Sequence, residues 1–123
     1  MVKKVLIIDD NPQAAEVARQ ALTAAGMEAT VNAGPFGSTM TALRIKPDLI
    51  LLDATMPGLS GERVLQLIKQ EPALRGVIVL FYSAIPEDEL RELTERTGAN
   101  GFIPKTVRPS ELMKRVAAAL AQA

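Results

Sequence analysis

Short aliphatic runs alternate with stretches of helical period along the whole chain. Residues 5–8 (VLII) are four apolar residues in a row, the pattern of a strand covered on both faces. Asn11 and Pro12 then supply an N-cap and a proline at the first helical position. Ala14, Val17, Ala18, Ala21, Leu22 and Ala25 follow at helical spacing, and Gly26 stands where a left-handed terminating residue belongs. A weaker strand is expected at 28–31, a helix at 38–45 stopped by Pro47, and a buried strand at 49–52 ending at Asp53. The next helix, 61–70, turns Val64, Leu65 and Ile68 inward and stops before Pro72. A fourth strand at 77–81 precedes a helix at 86–97, whose first turn carries Glu87, Asp88 and Glu89 where the helix dipole favours them. Leu90 and Leu93 face inward there, and Gly98 ends the helix. A short fifth strand at 101–103 leads to a last helix at 109–120, with Leu112, Val116, Ala119 and Leu120 on one face. Residues 32–37 read as a mobile loop.

Strictly alternating strands and helices imply an α/β fold, a parallel sheet with helices on both sides. Right-handed crossovers leave few topologies, and a doubly wound five-stranded sheet of order 2-1-3-4-5 suits the length of 123 residues. The chain holds enough apolar residues, 48%, for one core, so residues 1–123 are read as a single domain with no output module. In such a sheet, ligands bind between the carboxyl ends of the first and third strands.

Composition narrows the chemistry. Lys+Arg and Asp+Glu both number 14, so the electrostatic footprint of a nucleic-acid binder is missing, and no direct nucleic-acid contact is expected. The chain has no cysteine and no histidine, which excludes a thiolate zinc site, a cysteine nucleophile, a Ser-His-Asp triad and a phosphohistidine of its own. The apolar run after Lys3 and Lys4 is four residues long and ends in Asp9 and Asp10, which suits neither a signal peptide nor a membrane span. A cytoplasmic location without membrane contact is the expectation.

At the predicted binding edge, strand one ends in Asp9 and Asp10 and strand three in Asp53. Three carboxylates in one crevice repel one another unless a cation neutralises them. Mg²⁺ suits hard oxygen ligands and keeps waters that a phosphate can replace. Strand four brings Ser83 to the same edge, and strand five brings Lys105. A carboxylate cluster, a metal, a hydroxyl and an ammonium make a phosphoryl-transfer constellation, the cations offsetting charge on the phosphoryl oxygens.

The chain resembles the receiver domains of two-component response regulators, which share the flavodoxin-like (βα)5 fold. The resemblance is carried by residues 5–11 (VLIIDDN), 47–58 (PDLILLDATMPG), Gly61, 82–84 (YSA) and 98–105 (GANGFIPK). It implies that Asp53 is the phosphoacceptor, that Asp9, Asp10, Asp53 and the backbone carbonyl of Thr55 hold Mg²⁺, and that Ser83 and Lys105 contact the phosphoryl group. It also implies that Phe102 changes rotamer together with Ser83. The implied partners are a histidine kinase or phosphotransfer protein upstream and an output protein or domain downstream, with no small-molecule substrate. Such a domain catalyses its own phosphorylation and slow dephosphorylation, and turns over no metabolite. One departure stands out: receivers usually follow the lysine with a cis proline, and here Thr106 follows Lys105. A cis Lys105–Thr106 bond is the expectation, at a cost of about 3 kcal/mol without proline.

Other readings make different demands. A receiver-like module that binds protein and is never phosphorylated would account for the missing proline, and Mg²⁺ binding separates it from a working receiver. An aspartate-nucleophile phosphohydrolase generally carries an acid two residues after the nucleophile, where this chain has Thr55. A flavin binder would want more stacking partners than three Phe, one Tyr and no Trp.

Overall fold

A computed structural model describes residues 1–122. Five parallel strands form one sheet in the order β2-β1-β3-β4-β5, the order expected from the sequence. They are β1 (Lys4–Ile8), β2 (Glu28–Asn32), β3 (Leu49–Leu52), β4 (Ile78–Ser83) and β5 (Gly101–Pro104). The helices are α1 (Pro12–Ala24), α2 (Ser38–Ile45), α3 (Gly61–Lys69), α4 (Glu87–Thr97) and α5 (Pro109–Ala121). A single 3-10 turn at Pro72–Leu74, not anticipated from the sequence, joins α3 to β4 and buries Leu74.

The continuous aliphatic runs are continuous because both faces of the sheet are covered. Leu6, Ile8, Ile50, Leu52, Val79 and Phe81 point to one face, under Ala42, Val64, Leu65, Ile68 and Leu90 of α2, α3 and α4. Val5, Ile7, Leu49, Leu51, Leu80 and Tyr82 point to the other, under Ala15, Ala18, Leu22, Leu112 and Val116 of α1 and α5. Each fully buried Leu or Ile contributes about 1.5–3 kcal/mol relative to exposure, which makes this double core the main source of stability. The buried stripe of α1 is Ala15, Ala18 and Leu22, whereas Val17 is 45% exposed. Among the residues at helical spacing, small ones let α1 lie close to the sheet, and the buried stripe is the one that brings them there.

Caps follow the sequence closely. The Asn11 side chain accepts hydrogen bonds from the N–H groups of Gln13 and Ala14, and Gly98 ends α4 in the left-handed conformation at φ 74°. Hydrogen bonds also thread the 32–37 loop. The Asn32 side-chain amide donates to the carbonyls of Gly34 and Phe36, and the Thr41 hydroxyl donates to Asn32 Oδ1.

Register sets up the site. Ile8 aligns with Leu52, Leu52 with Phe81, and Phe81 with Phe102, so four strands run level to that row. Asp9 and Asp53 are the next residues on β1 and β3, and the Asp53 N–H donates to the Ile8 carbonyl at 3.0 Å. Ser83 lies level with Pro104 at the end of the neighbouring pair.

Candidate functional site

The carboxyl edge of the sheet gathers every side chain that the sequence singled out there. Asp9 is 1% exposed and Asp53 5%, while Asp10 is exposed on the turn into α1. One carboxylate oxygen from each of the three lies within 4.8 Å of the others. Asp9 Oδ1 accepts a hydrogen bond from the Asn11 N–H at 2.9 Å, which ties the strand end to the helix cap. Asp53 Oδ1 accepts from the Ser83 hydroxyl at 3.0 Å and from the Thr55 N–H at 3.2 Å.

Lys105 closes the far side. Its Nζ stands 2.9 Å from Asp9 Oδ2 and 3.1 Å from Asp53 Oδ2, an ammonium lodged between two buried carboxylates. The contact to Asp53 is an aligned hydrogen bond. Asp9 Oδ2 has the charge beside it but no aligned donor, so it is a buried oxygen short of a partner. Burial pushes the Asp9 carboxyl up from its ordinary value, with Asp53 adding repulsion, against the lowering pull of the Asn11 N–H and of Lys105. Burial alone would lower the Lys105 ammonium; the two carboxylates, Asp9 foremost, outweigh it and hold the ammonium higher than usual.

Two neighbours complete the geometry, and neither is assigned a role by the sequence. The Tyr82 ring lies 5.7 Å from the Lys105 ammonium, so an aromatic face backs the cation. Its hydroxyl is pushed up by burial. Only its place beside Ser83 hinted at a site position. Gly61 presses the first turn of α3 against the phosphoacceptor candidate: a Cβ there would overlap the Asp53 carbonyl oxygen and stand 2.8 Å from Ala54 Cα. Its N–H donates to the Ala54 carbonyl at 3.0 Å, which fixes the backbone just after Asp53.

The expected cis bond is corrected. No cis peptide occurs among the described residues, so Lys105–Thr106 is trans. The Lys105 N–H donates to the Ser83 carbonyl at 2.9 Å and the Val107 N–H to the Pro104 carbonyl at 3.2 Å. That turn delivers the ammonium to both carboxylates without the roughly 3 kcal/mol of a non-proline cis bond. Phe102 lies away from the carboxylates, half-buried on the α3–α4 side of the sheet, with the guanidinium carbon of Arg91 5.5 Å from its ring centroid.

An open cleft of about 440 Å³ fronts these groups, lined by Asp10, Asn11, Asp53, Thr55, Ser83, Ala84, Ile85 and Lys105. Three carboxylates face a single ammonium, a formal excess of negative charge that a hard divalent cation would balance. The under-bonded Asp9 Oδ2, the exposed Asp10 and the cleft-facing Asp53 fit such an ion. The arrangement can present one carboxylate oxygen to an electrophile, with a hydroxyl and an ammonium ready for the oxygens that arrive.

Residues 5–117 match the family described as the response regulator receiver domain. The DNA-binding response regulator MtrA of Mycolicibacterium smegmatis is 31% identical over 98% of this chain and 51% of its own length. The phosphate regulon transcriptional regulatory protein PhoB of Klebsiella pneumoniae is 33% identical over 98% of this chain and 52% of its own. The chain thus spans about half the length of these curated relatives. The chemotaxis protein CheY4 of Vibrio cholerae superposes with a TM-score of 0.89 at 22% identity, covering 97% of this chain and 99% of its own, which shows the shared fold.

Proposed function

Because the chain belongs to the response regulator receiver family, we propose that it is a phosphorylation-dependent switch of a two-component phosphorelay, with Asp53 taking the phosphoryl group. The observation that supports this most directly is the double engagement of Asp53: a buried carboxylate held by Ser83 at 3.0 Å and Lys105 at 3.1 Å, yet open to the cleft.

The phosphodonor is a phosphohistidine of a kinase or phosphotransfer protein. An Asp53 oxygen attacks phosphorus, a P–O bond forms, and the N–P bond breaks with its electron pair leaving on the imidazole, which takes up a proton. The product is an acyl phosphate. Lys105, released from bridging two carboxylates, pairs with a phosphoryl oxygen, and the Ser83 hydroxyl donates to another. Asp9, Asp10, Asp53 and the Thr55 carbonyl would hold Mg²⁺, which when bound neutralises charge on the transferring group. The Gly61 contact with the Asp53 backbone keeps the attacking residue in place.

The output is a shift in the face built from α4, β5 and α5, read by a downstream protein or domain. The domain turns over no metabolite and contacts no nucleic acid directly, and its place is the cytoplasm. No helix among the described residues is long and apolar enough to cross a membrane. That Lys105 reaches Asp53 with threonine after it supports this reading over an unphosphorylated module.

Incubation with Mg²⁺ and acetyl phosphate, followed by intact-protein mass, tests the assignment. The expected result is a gain of one phosphoryl group by the wild type and none by Asp53→Asn. An unmodified wild type, or a modified Asp53→Asn protein, would overturn it.

A further inference from the structure

The two halves of α4 are held in different ways. At the carboxyl end, Lys69 Nζ donates to the carbonyls of Thr97 and Gly98 at 3.1 and 3.0 Å, and Arg96 pairs with Glu62 at 2.7 Å. Both contacts pin that end to α3. The amino end follows Pro86, which provides no side-chain cap, and comes directly after the loop that leaves Ser83. Leu90, fully buried, seats this half on the sheet. One residue on, Arg91 reaches back to Glu87 at 3.2 Å and lays its guanidinium over the Phe102 ring at 5.5 Å. A chain of contacts therefore runs from the first turn of α4, through Arg91, to the aromatic side chain of β5.

We propose that Arg91 is a positioning residue that latches Phe102 in the arrangement seen here and so sets how readily the switch turns. The inference rests on the phosphoacceptor reading of Asp53. Ser83 donates to the Asp53 carboxylate and lies two residues beyond the strand position level with Phe102. When the hydroxyl follows an arriving phosphoryl oxygen, the space beside it opens toward the β4–α4 connection. A ring that moves to fill that space must leave the guanidinium. The Arg91 contact is made only in the unmodified arrangement, so it weighs against the modified one.

The contact is partly exposed, with the Arg91 side chain 54% accessible, so its size belongs at the low end for its class. An exposed cation–π contact of about 0.5–1 kcal/mol shifts an equilibrium roughly two- to fivefold. Leucine matches arginine in helix propensity but removes the Glu87 pair along with the ring contact, so the Phe102→Leu background separates the two.

The test uses the full chain with Mg²⁺ and beryllofluoride, a non-transferable mimic of the phosphoryl group, with affinity read by ¹⁹F NMR. Arg91→Leu is expected to bind two- to fivefold more tightly than wild type, and Arg91→Lys to stay near wild type. In a Phe102→Leu background the Arg91→Leu change should have no effect. Without beryllofluoride, the Arg91 Hδ resonances should carry an upfield ring-current shift that Phe102→Leu abolishes. Wild-type binding with no gain in Arg91→Leu, or the same gain with and without Phe102, overturns the latch alone. No beryllofluoride bound by any variant overturns the phosphoacceptor reading and the latch with it.

Discussion

Asp48 precedes β3 and Asp53 follows it, at the two ends of a strand whose four side chains are all buried. Asp48 stitches the amino edge together. Its Oδ2 accepts the Lys4 N–H at 2.8 Å, its own N–H donates to the Lys4 carbonyl, and its carbonyl accepts the Ile78 N–H. It remains partly exposed, and its backbone groups and one carboxylate oxygen are all hydrogen-bonded. Asp53 is buried among other carboxylates and shares one ammonium with Asp9. The amino edge has its own cleft of about 290 Å³, lined in part by Lys3, Lys46, Asp48 and Gly76, with charges of both signs. The same sheet thus closes one edge with satisfied polar groups and leaves like charges crowded at the other. Parallel α/β architecture does not demand that crowding. It disfavours the charged groups buried there, the kind of local strain that clusters at functional sites.

The largest test of the contrast exchanges glycines at the two edges. Gly61→Ala would force a methyl group into the backbone of Asp53 and Ala54, atoms that cannot swing aside. A loss of about 3 kcal/mol is expected, the upper end for overpacking. Gly76, on the amino edge, has a negative φ, and a methyl group added to it would meet nothing within 4 Å. Gly76→Ala should raise stability by about 0.5 kcal/mol by restricting the unfolded chain. Urea midpoints of both variants decide the matter; equal shifts would mean that the carboxyl edge is no more tightly built than its counterpart.

Next in size is the metal. Asp10→Ala removes an exposed carboxylate from a site with few protein ligands, and Mg²⁺ affinity should fall at least tenfold, or about 1.4 kcal/mol. Asp48→Ala should leave it unchanged. Calorimetric titration of both variants checks this, and an unaltered affinity in Asp10→Ala would remove Asp10 from the ligand set.

Much of this organisation is legible in the sequence. The two-sided burial of β1, β3 and β4 is written in consecutive aliphatic residues, and the residues at their carboxyl ends include Asp9, Asp53 and Ser83. The start and end of β4 differ from expectation by one or two residues, because Tyr82 continues the alternation into the second core beyond the obvious VIVLF run. The Lys105–Thr106 bond departs from expectation because its geometry depends on where the Ser83 and Pro104 carbonyls stand, not on the residue after lysine. The contacts of Tyr82 with Lys105 and of Arg91 with Phe102 exist only once β4, β5 and α4 are packed. No spacing in the sequence encodes them.

The third test makes the crowding itself measurable. Asp9→Asn keeps an oxygen for the Asn11 N–H and removes a charge that burial disfavours. In metal-free protein it should stabilise by about 1 kcal/mol, the scale for relieving an ill-matched buried polar group. The sign with pH follows from the raised Asp9 value: the folded protein holds this proton more tightly than the unfolded chain. Wild-type stability is therefore penalised above the folded value, and the penalty fades as pH falls through it toward 3.8. The advantage of Asp9→Asn should fade over the same window. Thermal unfolding in chelator across that range checks it, and an advantage that grows on acidification would reverse the electrostatic account.

The smallest effect belongs to the amino edge and has the opposite sign. Asp48→Asn is the same isosteric exchange, made where the carboxylate is partly exposed and one oxygen accepts the Lys4 N–H. An amide oxygen can still accept the Lys4 N–H, so the bond survives and only its charge assistance is lost. Lys3, Lys4 and Lys46 stand in this region, so removing a negative charge also removes a mild attraction that water screens. A destabilisation of about 0.5 kcal/mol is expected, the difference between a charged and a neutral acceptor at a surface position. Because Mg²⁺ has no role at this edge, the loss should be the same with and without the ion, unlike the Asp9→Asn gain. Paired urea titrations in chelator and in Mg²⁺ measure both. If Asp48→Asn stabilised the protein as Asp9→Asn does, the two edges would share one electrostatic condition, and the carboxyl edge would lose its claim to be a site.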